Sequence, residues 1–300
     1  MTDNQSAPAR RPLLVAGAAA LASACGAAWA VTSGPGSRGG AARPAAAGRT
    51  APPPPAAPRA AALSGRAVSG DGRPADPDAT ARAASAPGPA PTAPEYYVHA
   101  GAMALALTFD DGPSPVYTPE VLSILRQYRV TATFFMIGLN AARYPDTVRQ
   151  VVEEGHTVGN HTWTHPDLGT LTRPQVRTEL ERTGDLLARL CGGRPSLFRA
   201  PGGFFTHATM DLCGELGLRP VSWSVDPEDW ANPGADAIAQ RVLRHARTGS
   251  IVLDHDGCLT DGAVPAPGGP ADRSQTVTAL RHYLPRLVDA GFRFTVPDAA

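Results

Sequence analysis

From Met103 onward the chain alternates between short apolar runs and longer amphipathic stretches. "MALALTF", "TATFFMI", "TVGN", "SLFR", "PVSWSV", "SIVLDH" and "FRFTV" are brief and predict strands, "TATFFMI" being a β-branched and aromatic run. Between them, "TPEVLSILRQY" sets Val121, Ile124, Leu125 and Tyr128 at helical spacing behind Thr118 as N-cap. "YPDTVRQVVEEG" predicts a helix closed by Gly155. "RPQVRTELERTGDLLARLCGG" predicts a longer one, with Pro near its start and Gly past its end. "THATMDLCGELG", "ADAIAQRVLRHAR" and "SQTVTALRHYLPRLVDAG" supply the remaining helices. Strands that alternate with helices make a parallel sheet with helical crossovers. About seven or eight strands fit the length and polar residues gather where they end, so the pattern predicts an irregular (β/α) barrel with its site at the strand ends. No glycine-rich phosphate fingerprint follows a strand, which argues against a nucleotide or dinucleotide.

Ahead of this region the pattern stops. Val31–Pro94 is almost entirely Ala, Pro, Gly, Ser and Arg, including "APPPPAAP". It has too little apolar surface to offset the entropy of ordering, and predicts a disordered or polyproline-like tail. The chain divides into residues 1–30, 31–94 and a folded part over 95–300. In the first, Arg10 and Arg11 precede an apolar stretch that ends in "AWA". This predicts an export signal cut after Ala30. The paired arginines resemble a twin-arginine signal, Cys25 offers a poorer lipoprotein-type alternative, and Leu13–Val31 uncleaved is long enough for a membrane anchor. The expected location is secreted or extracellular, with a membrane or cell-wall tether left open.

Charge and cysteines narrow the picture a little. Of 27 basic and 27 acidic residues, nine Arg and five acids fall in the first 95, leaving the folded part mildly acidic. That argues against a nucleic-acid partner, and a monomer is expected. Export permits disulfides, but Cys191, Cys213 and Cys258 are an odd set without metal spacing. A Cys191–Cys213 pair and unpaired thiols are both left open.

The polar clusters carry the chemistry. "LALTFDDGPSP" delivers Asp110 and Asp111 from an apolar run into a Gly-Pro turn, and adjacent carboxylates repel unless a cation is near. "GNHTWTHPDL" holds His161 and His165, four apart, which face one ion if the segment takes a helical turn stopped by Pro166. Two imidazoles and one carboxylate make a three-ligand set suited to zinc, with a position left for water. "FRAPGG" ends a strand with Arg199, "SVDPEDW" with Asp226, Asp229 and Trp230, and "IVLDHDG" with His255 after Leu253. His99, His245 and His282 look like surface or linker positions, and structural roles are expected of His156 and His207.

The stretches "TFDDGPS", "HTWTH", "RAPGG", "DPEDW" and "LDH" together resemble the ordered motifs of the polysaccharide deacetylase family. That family comprises chitin and peptidoglycan deacetylases and acetyl xylan esterases. The resemblance covers about Met103 to Val296. It implies an irregular (β/α) barrel and metal-dependent removal of acetyl groups from sugars. By position, Asp110 would be the catalytic base, and Asp111, His161 and His165 would hold the metal, zinc with cobalt as the alternative. Arg199 would hold Asp110, and Asp229 would orient His255, the general acid. Trp230 and Leu253 would wall the acetyl pocket, and a backbone N–H near Gly202 would serve the oxyanion. Two departures stand out. Gly202 and Gly203 follow the motif-three proline where many relatives carry Tyr, and "DGCLTDGAVPAPGGPADRSQT" is a longer loop than the family leads one to expect, read as part of the rim. The implied substrate is an N-acetylated glycan, peptidoglycan or chitin-like. The alternatives are an O-acetyl esterase on xylan and a silent cell-wall carbohydrate-binding module. The last would have no use for Asp110, Arg199, Asp229 and His255 together.

Overall fold

The computed structural model of the chain describes residues 91–259 and 265–297. Residues 1–30, where an export signal is expected, nearly all of the Pro/Ala-rich stretch and part of the long loop after His255 lie outside the described residues.

Among the described residues seven strands form: β1 (Ala104–Asp110), β2 (Thr133–Met136), β3 (Thr157–Asn160), β4 (Leu197–Phe198), β5 (Arg219–Pro220), β6 (Ile251–His255) and β7 (Arg293–Thr295). All ladders are parallel, in the order β5-β4-β3-β2-β1-β6, with β7 paired to the first residues of β1. All seven residues of β1 are buried, which is why its sequence reads as an almost unbroken apolar run. Bridges outside the named strands join the two edges of the sheet. Val225, beyond β5, forms a parallel bridge to Val252 of β6, and the Leu253 N–H donates to the Val225 carbonyl at 2.9 Å. "PVSWSV" is therefore not one strand. Its start pairs within the β4–β5 edge and its end crosses to β6, which makes the barrel irregular.

The helices are α1 (Tyr117–Tyr128), α2 (Gly138–Arg143), α3 (Pro145–Glu153), α4 (Arg173–Cys191), α5 (His207–Leu216), α6 (Ala235–His245) and α7 (Ser274–Asp289). α4 starts at a capping box of Thr172 and Gln175 and stops at Gly192 in the left-handed conformation. α2 has no counterpart in the sequence pattern, since six residues are too few to show a period. No helix among the described residues is long and apolar enough to cross a membrane. Cys191 and Cys213 are not paired with each other; both are free, and burial pushes the Cys213 thiol up to about 12.

Strand period decides what reaches the site. Leu105, Leu107 and Phe109 of β1 join Phe134 and Met136 of β2 and Val252 of β6 in the core under α1, α3, α6 and α7. The alternate residues point into the barrel, where Ala106, Phe135, Leu197, Val221 and Ile251 pack. Asp110, Arg199 and His255 share the parity of this inner set, so the barrel interior leads directly to the polar end.

Candidate active site

The two aspartates diverge because the strand ends between them. Asp110 is the last residue of β1, whereas Asp111 opens the turn at φ 70°. Asp110 Oδ1 lies 2.7 Å from Arg199 Nη1. Arg199 is wholly buried. It donates to the Thr108 hydroxyl at 2.8 Å, to the Val221 carbonyl at 3.3 Å and to the Ser222 carbonyl at 2.8 Å. The Phe135 ring lies 4.2 Å beneath the guanidinium. Burial lowers the arginine's pKa although Asp110 opposes the shift.

His161 follows β3 and His165 comes four residues later, yet no helical turn joins them. The segment bends through left-handed residues at Thr162 (φ 67°) and His165 (φ 53°). Glu179 of α4 secures the bend by accepting from the Trp163 and Thr164 N–H groups at 2.8 and 2.7 Å. The expectation of a shared target holds, but the turn expected to create it does not. His161 Nδ1 must donate to the Arg199 carbonyl, 2.8 Å away, because that oxygen only accepts. Nε2 therefore carries the lone pair that faces the site.

Nε2 of His161 and of His165 lie 3.4 and 3.3 Å from Asp111 Oδ1. That oxygen is buried and makes no hydrogen bond. Burial alone would raise the Asp111 pKa, but His165, His161 and His255 outweigh it and hold the carboxyl well below the usual range. The three donor atoms, all within 4.8 Å of one another, fit one divalent cation.

A second pair faces this cluster. His255, the last residue of β6, places Nδ1 2.8 Å from Asp229 Oδ1, and its backbone N–H donates to Oδ2 at 2.8 Å. The Thr276 hydroxyl of α7 also donates to Oδ2, at 2.8 Å. Burial disfavours the imidazolium, but Asp229 and, less strongly, Asp111 outweigh it and raise the His255 pKa to about 9. Asp229 is lowered despite full burial, chiefly by His255.

The other anticipated residues sit around this centre. Trp230 is half-buried in the short turn Asp229–Ala231, and Leu253 is buried in β6 beside Thr108 of β1. Gly202 adopts φ 61° in the turn after Arg199. Asp226 is exposed, its carboxylate capping the Glu228 N–H. His156 is structural, accepting from the Ala132 N–H at 3.2 Å and lying edge-on to Phe134.

Several supporting groups escaped the sequence. Asn140 of α2 donates to the Asp111 carbonyl at 2.8 Å and fixes the turn. Asp256, wholly buried, accepts from Thr118 and packs against Gly112; burial, with the charges of Asp111 and Asp110, pushes it up to about 7. Asp254, on the outer face of β6, accepts from the Tyr283 hydroxyl. Glu179 lies on the α4 face of Val176, Leu180 and Thr183, and a carboxylate there was the one legible hint. Thr276 gave none.

Comparison with known proteins accords with this arrangement. The polysaccharide deacetylase family model matches residues 98–221. A chitooligosaccharide deacetylase of Sinorhizobium fredii is 45% identical over 193 residues, 64% of this chain and 89% of that protein. A peptidoglycan N-acetylglucosamine deacetylase, solved in complex with 4-naphthalen-1-yl-N-oxidanyl-benzamide, superposes with a TM-score of 0.61 at 34% identity, covering 67% of this chain and 89% of that one. A CE4 family pseudoenzyme from Bacillus anthracis superposes with a TM-score of 0.60 at 28% identity, over 68% and 67% of the two chains. Likeness of that extent, over the residues that form the barrel and its polar end, makes the chain a member of the polysaccharide deacetylase family.

Proposed function

We propose that the protein is a metal-dependent hydrolase that removes N-acetyl groups from an extracellular glycan of N-acetylglucosamine, peptidoglycan or chitin-like. One observation carries the reading. The buried, unbonded Asp111 Oδ1 faces two imidazole nitrogens, with an arginine-held carboxylate on one side and a carboxylate-held imidazole on the other.

Asp111, His161 and His165 would hold the metal, zinc by its N₂O donor set, with cobalt as the alternative. Such an ion polarises the acetyl carbonyl and acidifies water. Asp110, held in place by Arg199, takes the proton of the attacking water as its oxygen bonds to the carbonyl carbon. The Gly202 N–H is assigned to the oxyanion. As the C–N bond breaks, His255 gives its proton to the departing sugar amine, leaving acetate and a free amine. Trp230 and Leu253 are assigned to the wall around the acetyl methyl.

The His255–Asp229 pair supplies the acid that an amide requires. An amine leaves only when protonated, and an imidazole raised to about 9 still holds its proton at neutral pH. The pseudoenzyme among the similar structures gives the silent-module reading its footing. Against it, Asp110, Asp111, His161, His165, Arg199, Asp229 and His255 are all present, each in contact with at least one of the others. Residues 1–30 would carry the protein out of the cell and 31–94 would space a monomeric catalytic domain from the surface.

The test is acetate release from chitotetraose, peptidoglycan and acetylated xylan, before and after chelation and zinc addition. Release from the first two that chelator abolishes and zinc restores is expected. Activity on xylan alone would move the assignment to the ester, and no release from any substrate would support the silent module.

A further inference from the structure

Two phenylalanines follow the glycine pair after Arg199, and they part company. Phe205 turns inward and packs edge-on against Phe198, ring centroids 5.9 Å apart. Phe204 turns outward and remains 48% exposed. A single exposed aromatic needs no explanation by itself; what surrounds this one does.

The glycines are what let the ring lie there. Gly202 and Gly203 both have positive φ. A Cβ on Gly202 would stand 3.1 Å from two carbons of the Phe204 ring, and one on Gly203 would meet Trp223 at 2.8 Å. The ring thus rests on bare backbone, with its other face open. Opposite it, the loop after the metal-ligand candidate His165 brings Asp167 and Gly169. Together with Phe205 and Thr206 they enclose an open groove of about 210 Å³. Asp167 Oδ1 is engaged by the Gly169 N–H at 2.8 Å, which directs further acceptance to Oδ2.

We infer that this groove is a glycan subsite, where the sugar ring beside the one losing its acetyl group stacks on Phe204 and donates a hydroxyl to Asp167. The inference rests on the deacetylase reading above and names the part of the substrate that reading leaves unplaced. A pyranose has one face of C–H groups and a rim of hydroxyls, so an exposed aromatic ring and a carboxylate lining the same groove match both. The volume is below the ~300–1,000 Å³ of pockets that engulf a drug-sized molecule, which suits one ring of a chain that continues into solvent. Its lining residues follow His165 by two and four positions and Arg199 by five to seven, so the chain segments that carry the site also build the groove.

The experiment compares kcat/KM on N-acetyl-chitotetraose with that on a small aryl acetate, which has no second ring. Phe204→Ala is expected to lower the tetrasaccharide-to-acetate ratio about tenfold, with the loss in KM, and Phe204→Trp to restore it. Asp167→Asn, which leaves the ring in place and keeps an acceptor for the Gly169 N–H, should shift the ratio the same way, and guards against a misfolded Phe204→Ala. An unchanged ratio and KM in both variants overturns the subsite. Failure of the deacetylase reading looks different. Wild-type protein would release no acetate from any glycan, yet calorimetric titration would still detect tetrasaccharide binding that Phe204→Ala weakens about tenfold. That result would support the subsite and overturn the reaction.

Discussion

Arg199 reaches Asp110 through the interior of the barrel, Nη1 to Oδ1 at 2.7 Å, with the two side chains 0% and 4% exposed. Arg199→Met would leave Asp110 buried without its partner, which costs about 3–5 kcal/mol for pairs of this kind. Arg199→Lys keeps the charge, but one ammonium cannot serve Thr108, Val221, Ser222 and Asp110 from a planar fork. Urea unfolding should show the midpoint falling in both variants, further for Met. A Met variant as stable as the parent would show that the pair contributes nothing.

The neighbouring carboxylates should separate by metal content. Asp110→Asn leaves Asp111, His161 and His165 untouched, so it should keep the metal and lose ~10²–10⁴ in rate with the base. Asp111→Asn removes a charged donor and should lose metal first and activity as a result. Metal analysis after dialysis checks both. Metal lost from Asp110→Asn and kept by Asp111→Asn would reverse the two roles.

Much of this was legible before any coordinates. Six of the seven apolar runs each hold one strand, and those of β1, β2 and β6 read as nearly unbroken apolar stretches because a parallel strand covered on both faces has to. Asp110, Arg199 and His255 could be paired with strand ends for the same reason. What stayed hidden lay in the third dimension. The His161–His165 bend is set by Glu179 on a different element, and two left-handed residues leave no periodic trace. Thr276 meets Asp229 across 47 residues, and neither sequence neighbourhood carries the other's mark. "PVSWSV" looked like one strand since period cannot say that its ends serve different neighbours.

The pH profile follows from Asp229. A group whose folded pKa is raised acts as an acid, and contributes stability, fully at low pH; both are lost as pH rises through the folded value. With His255 raised to about 9 from an ordinary ~6.5, the basic limb of kcat belongs between those values. It should fall below 9 in loaded protein, because a cation on Asp111 cancels that carboxylate's share. Asp229→Asn should move the limb down toward ~6.5. A limb unmoved by that change would assign it to another group.

Substrate chemistry separates His255 from the rest of the machinery. His255→Ala should retain metal yet lose ~10²–10⁴ in rate on an acetamide. An acetyl ester with a good leaving group departs with little protonation, so its loss should be much smaller. Equal losses on both substrates would remove His255 from the leaving-group step.

Gly112 tests how the turn is held. It follows Asp111, and a Cβ on it would come within 2.5 and 2.6 Å of the two carboxylate oxygens of Asp256. Asp256 has no room to retreat, being wholly buried with Thr118 bound to it. The turn itself is pinned, with Ile137 N–H on the Gly112 carbonyl at 3.0 Å and Asn140 on the Asp111 carbonyl at 2.8 Å. Gly112→Ala should therefore displace Asp111, cost about 1–3 kcal/mol of stability as overpacking does, and weaken metal binding. Asp256→Ala opens the space that the new methyl needs, so the double variant should recover part of both losses. Coupling above ~0.5 kcal/mol in a double-mutant cycle, read by unfolding and by metal titration, is the expected outcome. Strict additivity would show that the turn yields in some other direction and that Asp256 does not brace it.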